Sequence, residues 1–255
     1  MFFIDTHTHL YTEEFDADRH QVVKQALADG INRMLLPNID GSTVQALLDL
    51  HHDFPEHCLP MMGLHPTSVN HQYEKELETV RSELDRGGYC GVGEIGIDLY
   101  WDETFREQQM DAFRQQLQWA KKYGLGVSIH TRKAFEITLQ IVKEELTDDL
   151  KGVFHCFTGS IEEAKEIMDV GFKMGIGGIV TFKNSGLDQV VKQIPMKSLV
   201  FETDAPYLTP VPFRGKRNQS AYLKYVAEKV AAIKALPLEE VAEITNRNAK
   251  QVFSI

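Results

Sequence analysis

Cysteine is scarce in this sequence. The 255 residues include only Cys58, Cys90 and Cys156, an odd number with no C-x-x-C pair. This pattern argues against a disulfide framework and favours a reducing compartment.

Long apolar segments and an excess of positive charge are also missing. No apolar run reaches the roughly 18 residues of a membrane span, and residues 1–10 (MFFIDTHTHL) lack the basic start and apolar stretch of a signal peptide. We therefore expect a cytoplasmic protein with no membrane segment, and no obligatory protein partner is evident. The net charge of −10 disfavours broad adhesion to nucleic acid but is compatible with a small pocket that grips one or two phosphates.

Short β-branched or apolar runs alternate with longer amphipathic stretches along the chain, and the amphipathic stretches have apolar residues at helical spacing. The tail from 221 to 253 adds two helical patterns separated by Leu236-Pro237. The predicted strands are Phe2–His7, Arg33–Ile39, Leu59–His65, Cys90–Asp98, Leu125–His130, Gly152–Phe157, Phe172–Val180 and Leu199–Asp204. The predicted helices before the tail are Arg19–Ala28, Thr43–Leu50, Lys75–Leu84, Phe105–Lys122, Ala134–Leu146, Ile161–Val170 and Leu187–Ile194.

Eight alternating units in a chain of this length predict an α/β protein with one domain over residues 1–255. The fold class is a (β/α)₈ TIM barrel with an additional C-terminal helix. A doubly wound open sheet is the alternative, but it usually carries a glycine-rich phosphate loop after the first strand. Here that position holds His7-Thr8-His9. Ser160 and Glu163 resemble a capping box that opens the sixth helix.

Side chains that bind metals are concentrated where the predicted strands end. In a parallel barrel all these ends meet at one rim, where the active sites of this fold form. Each residue alone could be a hydrogen-bonded core residue, but imidazoles and carboxylates together suit Zn²⁺, Mn²⁺ or Fe²⁺. Four histidines and two carboxylates exceed the needs of one tetrahedral ion and fit two ions that share a bridging carboxylate. The predicted metal ligands are His7, His9, Glu94, His130, His155 and Asp204.

Seven motifs in this chain resemble those of the TatD family of metal-dependent hydrolases, within the amidohydrolase-like barrels. The resemblance spans nearly the whole chain and implies a (β/α)₈ fold with a divalent-metal site. The motifs are IDTHTHL at 4–10, GLHP at 63–66, GEIGID at 93–98, IHTR at 129–132, FHCFTGS at 154–160, ETDAPYL at 202–208 and RGKRN at 214–218. The implied ligands are His7, His9 and Asp204 for one ion and His130 and His155 for the other, with Glu94 bridging the two.

Several members of this family are described as deoxyribonucleases that act on DNA ends. We therefore predict a 3′–5′ exonuclease that cleaves phosphodiester bonds in single-stranded DNA or frayed ends. Two divalent ions (Zn²⁺, Mg²⁺ or Mn²⁺) would lower the pKa of a shared water, and the resulting hydroxide would attack phosphorus. Asp204 and Glu94 are the predicted catalytic residues, and Asp204 would also accept or relay a proton. Asp5 and Glu202, on the same inward faces as ligands, are predicted to orient them through hydrogen bonds, with a buried ion pair as the alternative for Glu202.

Three further residues are predicted to bind the substrate. His65 ends the third predicted strand and is not needed to complete either metal site, so we expect it to contact phosphate. Arg132 shares the inward face of His130, where its guanidinium could hold phosphate through two hydrogen bonds or pair with a ligand carboxylate. Lys216 belongs to the basic RGKRN segment, which either reaches over the barrel mouth or is a solvated loop.

Aromatic residues near the predicted rim either stack on the bases of single-stranded DNA or pack the loops. Cys156 is predicted to pack on the face opposite its neighbour His155. The rim aromatics are Tyr100, Trp101, Phe157, Phe182 and Tyr207.

Two other functions are compatible with these residues. The same ligands could direct hydroxide at a C–N or carboxylic ester bond, because they determine the nucleophile and not the electrophile. The basic segment favours phosphate. A metal-binding protein without catalysis would have a coordinatively closed site. A rim site with surplus carboxylates and nearby Arg and Lys argues against that reading.

Overall fold

The computed structural model describes residues 1–255 and contains one sheet of eight parallel strands in chain order. Backbone hydrogen bonds join the first strand to the last: Thr6 N–H donates to Phe201 O at 2.9 Å, and Asp204 N–H donates to His7 O at 2.9 Å. The predicted TIM barrel is therefore confirmed. The strands are β1 Phe3–Asp5, β2 Ile31–Pro37, β3 Cys58–Met62, β4 Gly91–Asp98, β5 Gly126–Arg132, β6 Gly152–Phe154, β7 Lys173–Ile176 and β8 Leu199–Phe201.

One α-helix follows each strand, and α9 is the additional C-terminal helix predicted from the sequence. No helix is long and apolar enough to cross a membrane. The helices are α1 Arg19–Ala28, α2 Val44–Asp53, α3 Tyr73–Arg86, α4 Arg106–Tyr123, α5 Phe135–Glu145, α6 Ile161–Asp169, α7 Leu187–Gln193, α8 Leu223–Lys234 and α9 Leu238–Val252.

Local sequence signals explain how two of these elements begin or end. The capping box of α6 is confirmed, because Ser160 Oγ accepts from Glu163 N–H at 3.1 Å and the Glu163 carboxylate accepts from Ser160 N–H at 2.6 Å. Such a cap contributes about 1 kcal/mol. The predicted strand over 172–180 was too long: β7 ends at Ile176, and Gly178–Thr181 forms a 3₁₀ turn. A Cβ on Gly178 would lie 2.1 Å from Leu208 O, so only glycine allows this approach.

The main core of 56 buried residues includes the apolar faces of helices and strands around the barrel. A second, smaller cluster includes the end of α9, which closes the bottom of the barrel. Asn246 Oδ1 accepts from Ile4 N–H at 3.1 Å, and a Cβ on Gly126 would lie 2.1 Å from Val252 O. With the bottom closed, the rim at the carboxyl ends of the strands is left for the functional site. The second cluster consists of Ile4, Leu35, Met61, Cys90, Val153, Val200, Ala249, Val252 and Phe253.

Candidate metal centre

The six predicted metal ligands converge at this rim. Glu94 and His130 lie within β4 and β5, whereas the other four follow the ends of β1, β6 and β8. Strict alternation along β1 does not extend to His7 and His9, because the strand ends at Asp5. Convergence therefore depends on the position of the strand ends and not on regular pleating beyond them.

The first group of ligand atoms surrounds one carboxylate oxygen of Glu94. Glu94 Oε2 lies 3.1 Å from His7 Nε2 and 3.4 Å from His9 Nε2, and the two imidazole nitrogens are 3.2 Å apart. Asp204 Oδ1 lies 3.9 Å from His7 Nε2 and 3.7 Å from His9 Nε2. Two ligand atoms on one tetrahedral Zn²⁺ lie about 3.4 Å apart when each bond is about 2.05 Å. The spacing in this group therefore fits one ion.

The second group surrounds the other oxygen of the same carboxylate. Glu94 Oε1 lies 2.7 Å from both His130 Nδ1 and His155 Nε2, and these nitrogens are 3.3 Å apart. Each oxygen of Glu94 thus faces a separate group of imidazoles, as a bridging carboxylate would.

Hydrogen bonds on the far side of the imidazoles direct their lone pairs inward. His9 Nδ1 lies 3.0 Å from the Tyr11 hydroxyl, which itself donates to Pro37 O at 2.5 Å, so His9 Nδ1 must be the donor. His130 Nε2 lies 2.9 Å from Asp98 Oδ2, an ionised acceptor, so this nitrogen also carries a proton. When these two rings are neutral, His9 Nε2 and His130 Nδ1 carry no proton and can only accept. Both nitrogens face the ionised Glu94 carboxylate, which also only accepts.

Two acceptors at 2.7 Å repel unless positive charge lies between them. In the metal-free protein this charge is a proton. Burial lowers the pKa of His155, but the carboxylates of Glu94 and Glu202 raise it more strongly, to well above its usual value. Burial raises the pKa of Glu94, but the surrounding histidines hold it well below its usual value. The donor set therefore fits a metal cation, which would displace protons from these sites.

Asp204 completes the first group from a strained position. Its φ of 54° lies in the left-handed region, which Asp tolerates better than most residues. Burial raises the pKa of its carboxyl to about 6 in the metal-free protein. The group can thus change protonation state near neutral pH.

The two residues predicted to orient ligands are fully buried. Asp5 accepts from Thr203 N–H at 2.9 Å, from Thr203 Oγ1–H at 2.6 Å and from His7 N–H at 3.4 Å, so it holds the backbone of ligand segments and not their rings. Glu202 Oε1 accepts from Cys156 N–H and lies 3.6 Å from His155 Nδ1. Glu202 thus approaches a ligand ring directly.

Three groups that contact ligand rings were missed by sequence reasoning. They are Asp98 and Tyr11, described above, and Ser128, whose hydroxyl lies 2.9 Å from His7 Nδ1. The alternation Glu94, Gly96, Asp98 along β4 could have revealed Asp98, because it places both carboxylates on one face. Nothing in the sequence pairs Ser128 with a residue 121 positions away.

His65 lies beside the second group but presents a proton and not a lone pair. Its Nδ1 accepts from Thr67 N–H at 3.1 Å, so the neutral ring carries its proton on Nε2, 3.3 Å from Glu94 Oε1. Burial lowers the pKa of His65, which favours this neutral form. His65 is therefore built as a hydrogen-bond donor at the centre.

The predicted basic contacts differ in their surroundings. The Arg132 guanidinium lies 3.7 Å from the centroid of the Tyr100 ring and forms no ion pair with any carboxylate, so the alternative of a salt bridge to a ligand carboxylate is not observed. The Lys216 ammonium lies 5.7 Å from the Phe213 ring, and no hydrogen bond or ion pair links it to the centre. Arg217 is bound to the Asp18 carboxylate at 2.9 and 2.6 Å, which neutralises part of the predicted basic segment.

Cys156 does not pack on the face opposite His155 as predicted. Because β6 ends at Phe154 and Cys156 has a φ of 48°, alternation fails here, and Cys156 lines a cleft together with His155 and Phe157. Burial raises the pKa of its thiol well above the usual value, so the thiol stays protonated and unreactive.

Comparisons with known proteins identify the family of this chain. Residues 4–254 match the family model described as TatD related DNase. The chain is 39% identical over 252 residues to the uncharacterized metal-dependent hydrolase YabD of Bacillus subtilis, covering 98% of each chain. It is 32% identical to the 3′-5′ ssDNA/RNA exonuclease TatD of a Rahnella strain, covering 96% of each. The crystal structure of YjjV, a TatD homologue from Escherichia coli, superposes with a TM-score of 0.93 at 28% identity, covering 99% of this chain and 98% of YjjV. The chain therefore belongs to the TatD family of metal-dependent hydrolases.

Proposed function

We propose that this protein is a two-metal deoxyribonuclease of the 3′–5′ exonuclease type, which shortens single-stranded DNA. The observation that carries the proposal is the position of Glu94, whose two carboxylate oxygens face two separate groups of ligand atoms. This arrangement is suited to an adjacent pair of ions.

The proposed division of the ligands follows the family resemblance and the contacts of the two Glu94 oxygens. His7, His9 and Asp204 would hold one ion, and His130 and His155 the other, with Glu94 between them. The ligand atoms of His7, His155 and Asp204 also lie within 4.8 Å of one another, so the two groups adjoin. Their imidazole-rich donor set favours Zn²⁺ or Mn²⁺ over Mg²⁺. Two bound ions would supply a hydroxide near neutral pH and neutralise charge on the phosphodiester.

The surrounding residues would bind the substrate and move protons. The Nε2–H of His65 would donate to a non-bridging phosphate oxygen and stabilise the charge that grows there. Asp204, whose Oδ1 lies 3.9 Å from His7 Nε2 and 3.7 Å from His9 Nε2, would be positioned to take a proton and pass it towards the leaving oxygen. Lys216 remains a proposed contact for more distant phosphates.

Phosphate is the favoured electrophile because of Arg132. This guanidinium has no carboxylate partner and lines the cleft that contains His155. A planar cation beside the ligands suits a phosphate oxyanion better than a neutral amide. The relative from Rahnella is named a 3′-5′ ssDNA/RNA exonuclease, which also supports a nucleic-acid substrate.

The test is a time course on a 5′-labelled single-stranded oligonucleotide with metal-loaded protein. We expect a ladder that shortens from the 3′ end in the wild type and in Asp149→Ala, which alters an exposed loop carboxylate. Asp204→Ala should lower the rate at least about a hundredfold, because it removes a ligand and a proton acceptor. An oligonucleotide that stays intact with Mg²⁺, Mn²⁺ and Zn²⁺ would refute the nuclease proposal. Amides and carboxylic esters would then be tested on the same centre.

A further inference from the structure

A cleft of about 630 Å³ opens beside the second group of ligands. Its walls come from the segments after β5 and β6, and His155 forms part of its lining. A ligand that fills this cleft would therefore contact His155. Its size lies within the roughly 300–1,000 Å³ of sites that hold small ligands.

One wall of the cleft carries positive charge with no counter-ion. Arg132 and its neighbour Lys133 both line the cleft, and neither forms an ion pair. The first turn of α5 adjoins them and contains Glu136, which offsets the positive end of the helix dipole. Two cations without an ion-pair partner are nevertheless suited to bind an anionic ligand.

The acidic residues of the cleft do not cancel this charge. The Glu163 carboxylate accepts from Ser160 N–H at 2.6 Å within the capping box of α6. Glu136 is exposed to solvent on α5. Because neither carboxylate pairs with Arg132, its guanidinium is available to a phosphate.

Two exposed aromatic rings lie beside this cation: Tyr100, which lines the cleft, and its neighbour Trp101. Tyr100 is 48% exposed and Trp101 is 71% exposed, and their ring centroids are 4.9 Å apart in an edge-to-face arrangement. The Arg132 guanidinium lies over both rings, at 3.7 and 5.3 Å from their centroids. Large aromatic side chains this exposed provide the stacking surface that proteins use for unpaired bases.

We infer that the cleft binds one unpaired nucleotide next to the scissile phosphodiester, with Arg132 on its phosphate and Tyr100 and Trp101 against its base. The inference rests on the proposed function and deepens it, because it assigns the preference for single strands to particular residues. A base held in a duplex is stacked and paired, and so cannot lie on these rings.

The test measures ligand binding through the fluorescence of Trp101. The chain has two tryptophans, so Trp119→Phe leaves Trp101 as the only one. The metal-loaded variant is titrated with a thymidine tetramer whose phosphorothioate links resist hydrolysis, and with an abasic tetramer of the same backbone. We expect saturable quenching of Trp101 fluorescence by the thymidine probe and about tenfold weaker binding of the abasic probe.

Two further variants assign the phosphate contact. In the same background, Arg132→Ala should raise the Kd of the thymidine probe about tenfold. The matched control is Lys122→Ala, because the Lys122 ammonium also lies over a tyrosine ring, 4.5 Å from the centroid of Tyr123, outside the cleft. This control should leave the Kd unchanged.

The possible results separate this inference from the proposed function. Equal quenching by both probes, no quenching, or equal effects of Arg132→Ala and Lys122→Ala would each overturn the nucleotide subsite. Hydrolysis of bis(p-nitrophenyl) phosphate by the wild type tests the metal centre without this cleft. Activity on that diester without a Trp101 response would refute the subsite alone. A Trp101 response without any diester or oligonucleotide hydrolysis would refute the nuclease proposal alone.

Discussion

The hydrogen bond between Asp98 and His130 gives a sharp prediction about metal affinity. Asp98 is buried, with Oδ1 accepting from Tyr100 N–H at 2.9 Å and Oδ2 accepting from His130 Nε2–H at 2.9 Å. In Asp98→Asn, the amide oxygen can keep the Tyr100 bond, which turns the NH₂ group towards His130. His130 Nε2 must then accept, so its proton moves to Nδ1, the nitrogen that faces Glu94. Metal binding must now displace that proton.

The size of the effect follows from the charge of the lost acceptor. A hydrogen bond to a charged group contributes about 1.5–3 kcal/mol, and each 1.4 kcal/mol or so is a factor of ten. We therefore expect the second group of ligands to lose about 10- to 100-fold in metal affinity, the range typical for groups that orient a ligand histidine. The first group makes no contact with Asp98, so its affinity should change little.

Competition with a chromogenic chelator would measure this change. The wild type should bind two ions per chain, and Asp98→Asn should weaken only one of them. Asp111→Asn is the matched control, because Asp111 Oδ2 accepts from the Tyr73 hydroxyl at 2.9 Å away from the centre. Unchanged metal affinity in Asp98→Asn, or an equal loss of affinity for both ions, would refute the argument that Asp98 sets the tautomer of His130.

Three other predictions concern pH, packing and the closed end of the barrel. The metal-free Asp204 carboxyl, with its pKa raised to about 6 by burial, is protonated below that pH and must lose its proton to bind metal. Metal affinity measured by chelator competition should thus fall below pH 6 by about a further tenfold per pH unit, beyond the loss from histidine protonation, and Asp204→Asn should remove this added dependence. In Gly175→Ala, the new Cβ would lie 2.0 Å from Glu202 Oε2, so we expect a loss of about 1–3 kcal/mol in urea unfolding. Gly177→Ala, whose Cβ would come no closer than 3.5 Å to Glu202, should cost less, and equal costs would contradict the steric argument. Phe253→Ala should lower the free energy of unfolding by about 3–5 kcal/mol without changing the number of metal ions bound per chain. A smaller number of bound ions would show that packing at the closed end of the barrel also stabilises the metal centre at the rim.

The barrel and the convergence of its ligands could be predicted because both depend on local patterns. Alternating apolar runs give the number of strands, and parallel topology brings all their carboxyl ends to one rim. His7 and Asp204 could thus be placed together although 197 positions separate them. Family resemblance then supplied the division of the six predicted ligands between two ions, and the two oxygens of Glu94, which face separate groups of ligand atoms, fit that division.

Contacts between loops could not be predicted in this way. Arg217 pairs with Asp18 across 199 positions, and no periodicity indicates that partner. Alternation also failed where the chain leaves a strand, as at Cys156, because a positive φ reverses the direction of the side chain. The Arg132–Tyr100 contact joins segments after neighbouring strands, and only the packing of those segments places the cation over the ring.

The closed bottom of the barrel has a consequence for how the chain matures during synthesis. The Asn246–Ile4 bond spans 242 positions, so β1 cannot gain this partner until α9 has left the ribosome. The bonds from β1 to Phe201 and from His7 to Asp204 must also wait for β8. A nascent chain therefore carries all four histidines of the proposed centre before Asp204 is synthesised, and the proposed centre can assemble only when β1 and β8 meet.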